Sequence, residues 1–100
     1  HLQFHLNMST LKRKRAYKRK VELYLVNDNY NSFDSVIEIL SNTLPECSTL
    51  RAEQIANITH AKKKCHIFTA KPPEVYYVQS MLIKRGLHVI AKKPGKNLVN

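Results

Sequence analysis

Glycine and cysteine are rare in this chain, and each shortage argues against a class of function. Only two glycines occur among the 100 residues, and they form no glycine-rich loop of the kind that binds phosphates. The two cysteines, Cys47 and Cys65, form no CxxC pair, which leaves no disulfide framework and favours a reducing compartment. No apolar run approaches the roughly 18 residues that a membrane-spanning helix requires. A phosphate loop, a disulfide scaffold and a transmembrane helix are therefore not expected.

Acidic side chains are also few, and nothing in their spacing suggests catalysis. The seven carboxylates are scattered, and no GxSxG, HExxH or P-loop pattern occurs. His60, Cys65 and His66 raise the question of a metal or a thiol nucleophile, but structural zinc requires four ligands with recognisable spacing. Neighbouring residues on a strand also point to opposite faces, which separates Cys65 from His66. We therefore expect no catalytic residue, no metal and no cofactor, which argues against a small hydrolase or redox protein.

Basic residues are abundant, and they are concentrated near the start of the sequence. Seven of the 17 lysines and arginines lie in the first twenty residues, which contain no acid. Runs of like charge are usually solvated, and some dock on acidic surfaces or RNA. We predict a flexible basic arm over residues 1–19, one core domain over residues 20–92 and a flexible tail over residues 93–100. The basic residues of the first twenty are Lys12, Arg13, Lys14, Arg15, Lys18, Arg19 and Lys20.

The first part of the core is predicted to form a strand, a polar turn and a helix. Residues 21–26 are mostly β-branched, aromatic or apolar, as in a strand packed on a core. Residues 27–31 are turn formers whose side chains can bond their own backbone. Asn31 or Ser32 can cap the following helix, which Pro45 ends. The apolar face of that helix comprises Phe33, Val36, Ile37 and Leu40.

A second helix follows directly in the sequence. Ser48 or Thr49 can cap it, and a basic bend over residues 62–64 is expected to end it. An amphipathic helix of this kind packs one face against a core. The residues expected on this inner side are Leu50, Ala52, Ile55, Ala56 and Ile58.

The rest of the core predicts a strand, a helix and a last strand. Residues 65–69 suit a short strand. Pro72 and Pro73 can open a third helix, because proline is tolerated in the first turn, and Gly86 can end it as a left-handed cap. Residues 87–91 are predicted as the last strand. The residues that repeat at helical spacing in the third helix are Val75, Val78, Met81 and Leu82.

The order β-α-α-β-α-β predicts an α/β (α+β) two-layer sandwich. Helices that join strands in this order can cover one face of a sheet, here a sheet of three strands beneath three helices. No internal repeat or second domain is evident in the sequence.

Several segments of this predicted core, above all LVNDNY at residues 25–30 and VIEIL at residues 36–40, resemble the ClpS family, and the similarity spans residues 21–91. The most specific part is LVNDNY at residues 25–30 followed by VIEIL at residues 36–40, which resembles the family's segment LVNDDYTPMEFVIxVL. The family's second helix closes with a Val-His pair, its next strand leads into FTAExAE, and many members end in a similar Arg-Gly-Leu. The matching positions here are residues 52–60, Phe68-Thr69-Ala70, Glu74 and Arg85-Gly86-Leu87.

ClpS proteins are adaptors of the N-degron pathway, and the resemblance implies that role for this chain. Family members bind peptides that begin with Phe, Tyr, Trp or Leu and deliver them to a Clp/Hsp100 ATPase, of ClpA or ClpC type, that works with the ClpP protease. A free N-terminus is mostly an ammonium at neutral pH, so its recognition requires acceptors beside an apolar hole. By resemblance, Asn27 and His60 bind the α-amine, with Asp28 and Asn29 beside them. The pocket and its gate are expected at Phe33, Asn31, Val36, Ala56, Thr59 and Leu87.

The chain departs from the family pattern around this expected pocket. Asn29 replaces an Asp that helps to hold the amine through water, so it still accepts a hydrogen bond but adds no charge. Phe33 replaces a gating Met, and Ala56 replaces a bulky Met within the pocket. Thr59 replaces the Val before the His, and the loop after His60 is short, with lysines instead of the usual glycine turn. These changes leave the amine site mostly intact and alter the pocket for the side chain.

A basic RNA- or ribosome-associated module is the alternative from another class. The ClpS fold resembles the C-terminal domain of the ribosomal stalk protein, so fold alone does not separate the two. An RNA binder should spread basic and aromatic residues over its core surface, whereas most of the net charge here lies in the predicted arm. A nucleic-acid or membrane partner is therefore not expected.

The expected location follows from the family and the arm. ClpS proteins work in the bacterial cytosol and the plastid stroma. The sequence begins at His1 rather than Met, and its basic arm contains Ser and Thr, which favours a plastid or apicoplast form. The bacterial cytoplasm is the alternative.

Overall fold

The computed structural model of the chain describes residues 19–93. The order of its elements and their α+β class confirm the fold predicted from the sequence. Except for Arg19 and Lys93, the predicted arm and tail lie outside the described residues. No helix formed by residues 19–93 is long and apolar enough to cross a membrane. The elements are β1 (Val21–Val26), α1 (Phe33–Thr43), α2 (Thr49–Lys62), β2 (Lys64–Ala70), α3 (Pro72–Lys84) and β3 (Val89–Lys92).

The three strands form an antiparallel sheet in the order β2-β1-β3. Val21, Leu23 and Leu25 of the central strand are buried in the core, and the residues between them are only half-buried. This alternation is the period of a strand with one face on the helices and one face open. The register between β1 and β2 shifts after Leu23, so that β2 contains an additional residue, Ile67, which is buried. Such a bulge bends the edge strand.

The first helix packs through Ile39 and Leu40, which are buried. Ser32 rather than Asn31 is its N-cap, because its hydroxyl accepts a hydrogen bond from the backbone N–H of Ser35 at 3.1 Å. Phe33, predicted on the inner face, is 42% exposed at the first helical position. The apolar face of α1 therefore begins one turn later than expected.

The inner face of α2 differs from the prediction at two positions. Ser48 caps the helix by accepting from the N–H of Arg51 at 3.1 Å. Leu50 and Ile58 were expected inside, but they are 64% and 44% exposed. Because the buried residues recur at i, i+3, i+4 and i+7, the two larger apolar residues fall on the opposite side. The buried residues of α2 are Ala52, Ile55, Ala56 and Thr59.

The end of α3 corrects the predicted start of the last strand. Gly86 has φ 99°, and its N–H bonds the carbonyl of Ile83 at 2.9 Å, while the N–H of Leu87 bonds the carbonyl of Leu82 at 3.1 Å. These two bonds form a Schellman motif. Leu87 and His88 therefore precede β3, which begins at Val89. Met81 is half-buried, unlike its fully buried neighbours at helical spacing.

Candidate functional site

A cavity of about 370 Å³ opens at the end of β1, beside the turn over residues 27–31. Ligand pockets usually measure about 300–1,000 Å³, so this one suits a single large side chain with its adjoining backbone. All ten residues proposed as the site line it, and Leu25 and Val26 line it as well. The structure brings these residues together, and their roles in binding remain predictions. The lining residues are Leu25, Val26, Asn27, Asp28, Asn29, Asn31, Phe33, Val36, Ala56, Thr59, His60 and Leu87.

Asp28 organises the turn beside the cavity. Its Oδ1 accepts hydrogen bonds from the backbone N–H groups of Tyr30 at 2.9 Å and Asn31 at 3.1 Å. Partial burial by itself raises the pKa of Asp28, but these backbone bonds, the Asn31 side chain and nearby His88 outweigh it and lower the pKa below its usual range. Asp28 therefore brings a negative charge to the cavity wall while its oxygens hold the turn.

The side chain of Asn31 ties the turn to the link between α3 and β3. Its Nδ2 donates to the carbonyl of Gly86 at 2.9 Å and makes longer bonds to the two Asp28 oxygens at 3.4 and 3.3 Å. The donor capacity of this amide is thus used inside the protein. Asn31 positions the cavity wall rather than offering a free donor to a ligand.

The other end of the turn is fixed by the C-terminus of α2. Lys63 adopts a left-handed conformation with φ 78°, and its N–H caps the helix through the carbonyl of Thr59 at 2.8 Å. The carbonyl of Lys63 accepts from the backbone N–H of Asn27 at 2.8 Å. Asn27 is therefore held next to the last turn of α2, which carries His60.

Three polar side chains at the cavity have no bonded partner within the part of the chain that the structure describes. Asn27, Asn29 and His60 line it, and within residues 19–93 their side chains form no hydrogen bond, in contrast to Asp28 and Asn31. Amide oxygens and neutral imidazole nitrogens are acceptors. The cavity therefore presents unused acceptors next to its apolar wall.

The apolar wall comes from α1, α2 and the link before β3. Thr59 is buried, and its hydroxyl donates to the carbonyl of Ile55 at 2.7 Å, so it requires no polar partner from a ligand. Ala56 is buried on the same helix face, whereas Phe33 is largely exposed at the rim. Leu87 is buried where the Schellman motif places it. A bound side chain would meet these apolar groups.

The cysteines and histidines do not form a second site within the described residues. No group of three or more His, Cys, Asp or Glu in residues 19–93 could hold a metal ion. Both cysteines are free thiols. Burial raises the pKa of Cys47 and of Cys65 against an opposing effect of Arg51, which keeps both thiols protonated and unreactive at neutral pH.

Sequence reasoning missed the backbone groups that build this site. The carbonyls of Lys63 and Gly86 hold the two ends of the polar turn. A glycine after Lys84-Arg85 is a usable signal for the second of these positions. Lys63 gives no comparable signal, because a lysine is not expected in a left-handed conformation.

Comparison with known protein families finds a match to this chain. The family model described as "ATP-dependent Clp protease adaptor protein ClpS" matches residues 16–85. This match covers well over half of the chain and all of the cavity residues except Leu87. None of the curated proteins compared with the chain matches it.

Proposed function

The chain belongs to the ClpS family of ATP-dependent Clp protease adaptors, and from this premise we propose that its cavity binds the free N-terminal residue of substrate polypeptides. A Clp adaptor binds a Clp ATPase and its substrates and does not cleave them itself. The proposed finer role is recognition of N-degrons. The cavity takes a bulky apolar first residue, and the substrate is then delivered for degradation by a ClpA- or ClpC-type ATPase with ClpP.

The observation that carries this proposal is the set of acceptors beside the apolar wall of the cavity, the side chains of Asn27, Asn29 and His60, which have no bonded partner within residues 19–93. An α-ammonium has three donors, and Asn27 Oδ1 and a ring nitrogen of His60 can each accept one. Asn29 can accept a third, directly or through water. The ionised carboxylate of Asp28 adds a favourable charge without giving up its turn bonds. The side chain of the first residue then fills the cavity of about 370 Å³.

The rim and the interior of the cavity set the proposed preference among first residues. Phe33 at the rim is a flat, rigid ring, and a β-branched side chain is wide at Cβ and stiff at χ1. Ala56 leaves room deeper inside. The cavity therefore accepts Phe, Tyr, Trp and Leu and rejects Ile and Val. Burial of such a side chain is worth about 1.5–3 kcal/mol.

Peptides that differ only at their first residue test the proposal. Fluorescence anisotropy should show binding of peptides that begin with Phe or Leu, and a loss of binding when the same peptides are N-acetylated. Acetylation removes the charge and two donors, and each acceptor that the bound peptide then covers without a partner costs about 1–3 kcal/mol. Equal affinity for the free and acetylated peptides would rule out recognition of the amine.

Variants of the two acceptors sharpen this test. Asn27→Ala and His60→Ala should each weaken binding of a Phe-initiated peptide by about tenfold or more. Asn57→Ala is the matched control, because Asn57 is exposed on α2 and does not line the cavity. Its affinity should equal that of the unmodified protein, and all three variants should keep the same melting temperature within a few degrees.

Two further variants test the rim and the interior separately. Phe33→Ala should relax the rejection of Ile and Val. Ala56→Met should fill part of the cavity. It should therefore weaken the binding of Trp-initiated peptides more than the binding of Leu-initiated ones. If the unmodified protein already binds Ile as well as Leu, Phe33 is not the gate, although recognition of the amine can still hold.

A further inference from the structure

The face of the sheet away from the helices carries an unusual arrangement of charge. We call it the open face and define it as six residues that alternate with the buried ones. Tyr24 lies at its centre, opposite His66 on β2 and opposite Ile90 on β3. None of the six lines the cavity. Val26, which pairs with Lys64, does line it, so the open face adjoins the proposed substrate site but shares no residue with it. Its residues are Glu22, Tyr24, Lys64, His66, Ile90 and Lys92.

Two lysines from opposite edges of the sheet meet over the tyrosine ring. The Nζ atoms of Lys64 and Lys92 lie 5.5 Å and 5.4 Å from the ring centroid of Tyr24, within the range of a cation–π contact. The ring of His66 approaches the same tyrosine edge-on, with centroids 5.5 Å apart. The face therefore concentrates cationic groups around one aromatic ring.

The carboxylate of this face, that of Glu22, is bonded to the tyrosine hydroxyl. Tyr24 Oη donates to Oε1 of Glu22 at 2.8 Å, and this bond, followed by burial and the charge of Glu22, raises the pKa of Tyr24. Glu22 also pairs with Lys92 across the sheet, and its single negative charge leaves the face that carries Lys64 and Lys92 with a net positive charge.

The two lysines bring like charges to the same ring, since both Nζ atoms lie within 5.5 Å of the Tyr24 centroid. The proximity of the Lys92 side chain, together with its charge, lowers the pKa of Lys64. Two like charges at short range repel each other, and an anion placed between them turns that repulsion into two attractive contacts. The pair is therefore suited to bridge a carboxylate or a phosphate oxygen.

Its surroundings favour a carboxylate on a polypeptide over a nucleic acid. A phosphate chain requires a track of cations, whereas this face offers a single pair, Lys64 and Lys92. Bases stack on free aromatic faces, but the ring of Tyr24 is approached by Lys64 and Lys92. Ile90 is half-buried at the position opposite Tyr24 on the neighbouring strand and offers aliphatic contact.

We propose that the open face docks an acidic, aliphatic segment of a partner polypeptide, with a carboxylate bridging Lys64 and Lys92 and an aliphatic side chain on Ile90. This docking goes beyond binding in the cavity and does not depend on it. A single protein could then hold a substrate end in the cavity and a partner segment on the sheet.

An N-acetylated, fluorescein-labelled peptide of alternating Glu and Val is the probe, because acetylation keeps it from competing for the cavity. The full chain should bind it in a salt-dependent manner. Lys64→Gln combined with Lys92→Gln should weaken this binding by about tenfold or more. The matched control combines Lys62→Gln with Lys84→Gln, which removes the same charge from two exposed helix ends and should change the affinity by less than about twofold.

Two further probes and one variant identify the partner chemistry. A Gln-Val peptide of the same length should bind weakly, and oligodeoxythymidylate should bind independently of Lys64 and Lys92. Asn27→Ala should leave the Glu-Val affinity unchanged, which separates this test from that of the cavity. The proposal is wrong if the lysine double variant binds the Glu-Val peptide normally, or if the Gln-Val peptide binds equally well. It is also wrong if the oligonucleotide binds more tightly through the same two lysines.

Discussion

Two helices end at the cavity with a left-handed residue, and the two residues differ in kind. Lys63 follows α2 with φ 78°, and Gly86 follows α3 with φ 99°. Each offers its carbonyl to one end of the polar turn, Lys63 to the N–H of Asn27 and Gly86 to the side chain of Asn31. The turn that carries the proposed acceptors is therefore hydrogen-bonded at each end to a residue that follows a helix.

The difference between Lys63 and Gly86 reflects the length of the link from each helix to the strand that follows it. Gly86 has no Cβ and adopts positive φ without cost, and a complete Schellman motif follows it. Lys63 bears a cost of about 1–2 kcal/mol for the same conformation. Because β2 begins at the next residue, the whole reversal falls on Lys63. The strained residue therefore lies at the shorter of the two links, the one between α2 and β2.

The largest effect is expected from Gly86→Ala. This variant would place a residue with a Cβ in a left-handed conformation at the end of α3, as Lys63 already is at the end of α2. The variant should lose about 1–2 kcal/mol of unfolding free energy in urea denaturation. The loss would come from the backbone alone, because a Cβ there meets nothing closer than Asn31 Oδ1 at 3.9 Å. Gly86→Asn is the control and should lose less, since asparagine tolerates positive φ. Equal losses in both variants would point to crowding instead.

Asn31→Ala should remove the bond between the turn and Gly86 and leave the bond between Asn27 and Lys63 in place. Loss of the bond to the Gly86 carbonyl should cost about 0.5–1.5 kcal/mol of unfolding free energy. Asn29→Ala is the matched control, since the Asn29 side chain has no bonded partner within residues 19–93, and its stability should change by less than about 0.5 kcal/mol. If both substitutions have the same effect, the tether contributes nothing to stability.

Lys63→Gly should make the two helix ends alike and stabilise the protein. Relief of the left-handed strain, less the entropy of a glycine in the unfolded chain, should gain about 0.5–1 kcal/mol. Lys62→Gly, one residue earlier and still helical, should instead lose about that amount. A loss in both variants would show that Lys63 is not strained.

The smallest effect concerns pH and the carboxylate within the turn. The pKa of Asp28 is lowered in the folded protein from its ordinary 3.8. Its contribution to stability is therefore complete above that value and is lost as the pH falls through the lower folded-state pKa. The difference in melting temperature between the unmodified protein and Asp28→Asn should be constant near neutral pH and shrink on acidification below about pH 4. A difference that does not change with pH would contradict the lowered pKa.

The sequence predicted the elements well because their signals are local. The strand at residues 21–26 and the proline start of α3 were both located correctly. Leu50 and Ile58 were placed on the wrong side of α2 because small alanines and Thr59 carry little hydrophobic signal. Leu87 and His88 were assigned to a strand because apolar residues after a glycine resemble one, whereas their position is set by the helix cap.

The predicted site residues gather around one cavity. The sequence did not predict which of their side chains form internal hydrogen bonds. Asp28 and Asn31 are used to build the turn, whereas Asn27 and His60 keep their side chains unbonded within the described residues. Asp28 is engaged by backbone N–H groups of its own turn, whereas the partner of the Asn31 side chain is the backbone carbonyl of Gly86, far along the chain. Backbone groups from distant segments leave no mark in a side-chain pattern.

The central position of β1 has a consequence for the order of events during synthesis. Glu22 faces Lys92 across the sheet, so the first and last described strands must meet before the sheet is complete. Closing so long a loop is entropically costly, and contacts between distant residues slow folding. Until β3 emerges from the ribosome, one edge of β1 has no partner and its apolar residues lack part of their cover. The cavity, which needs Leu87 just before β3, is completed only at that late stage.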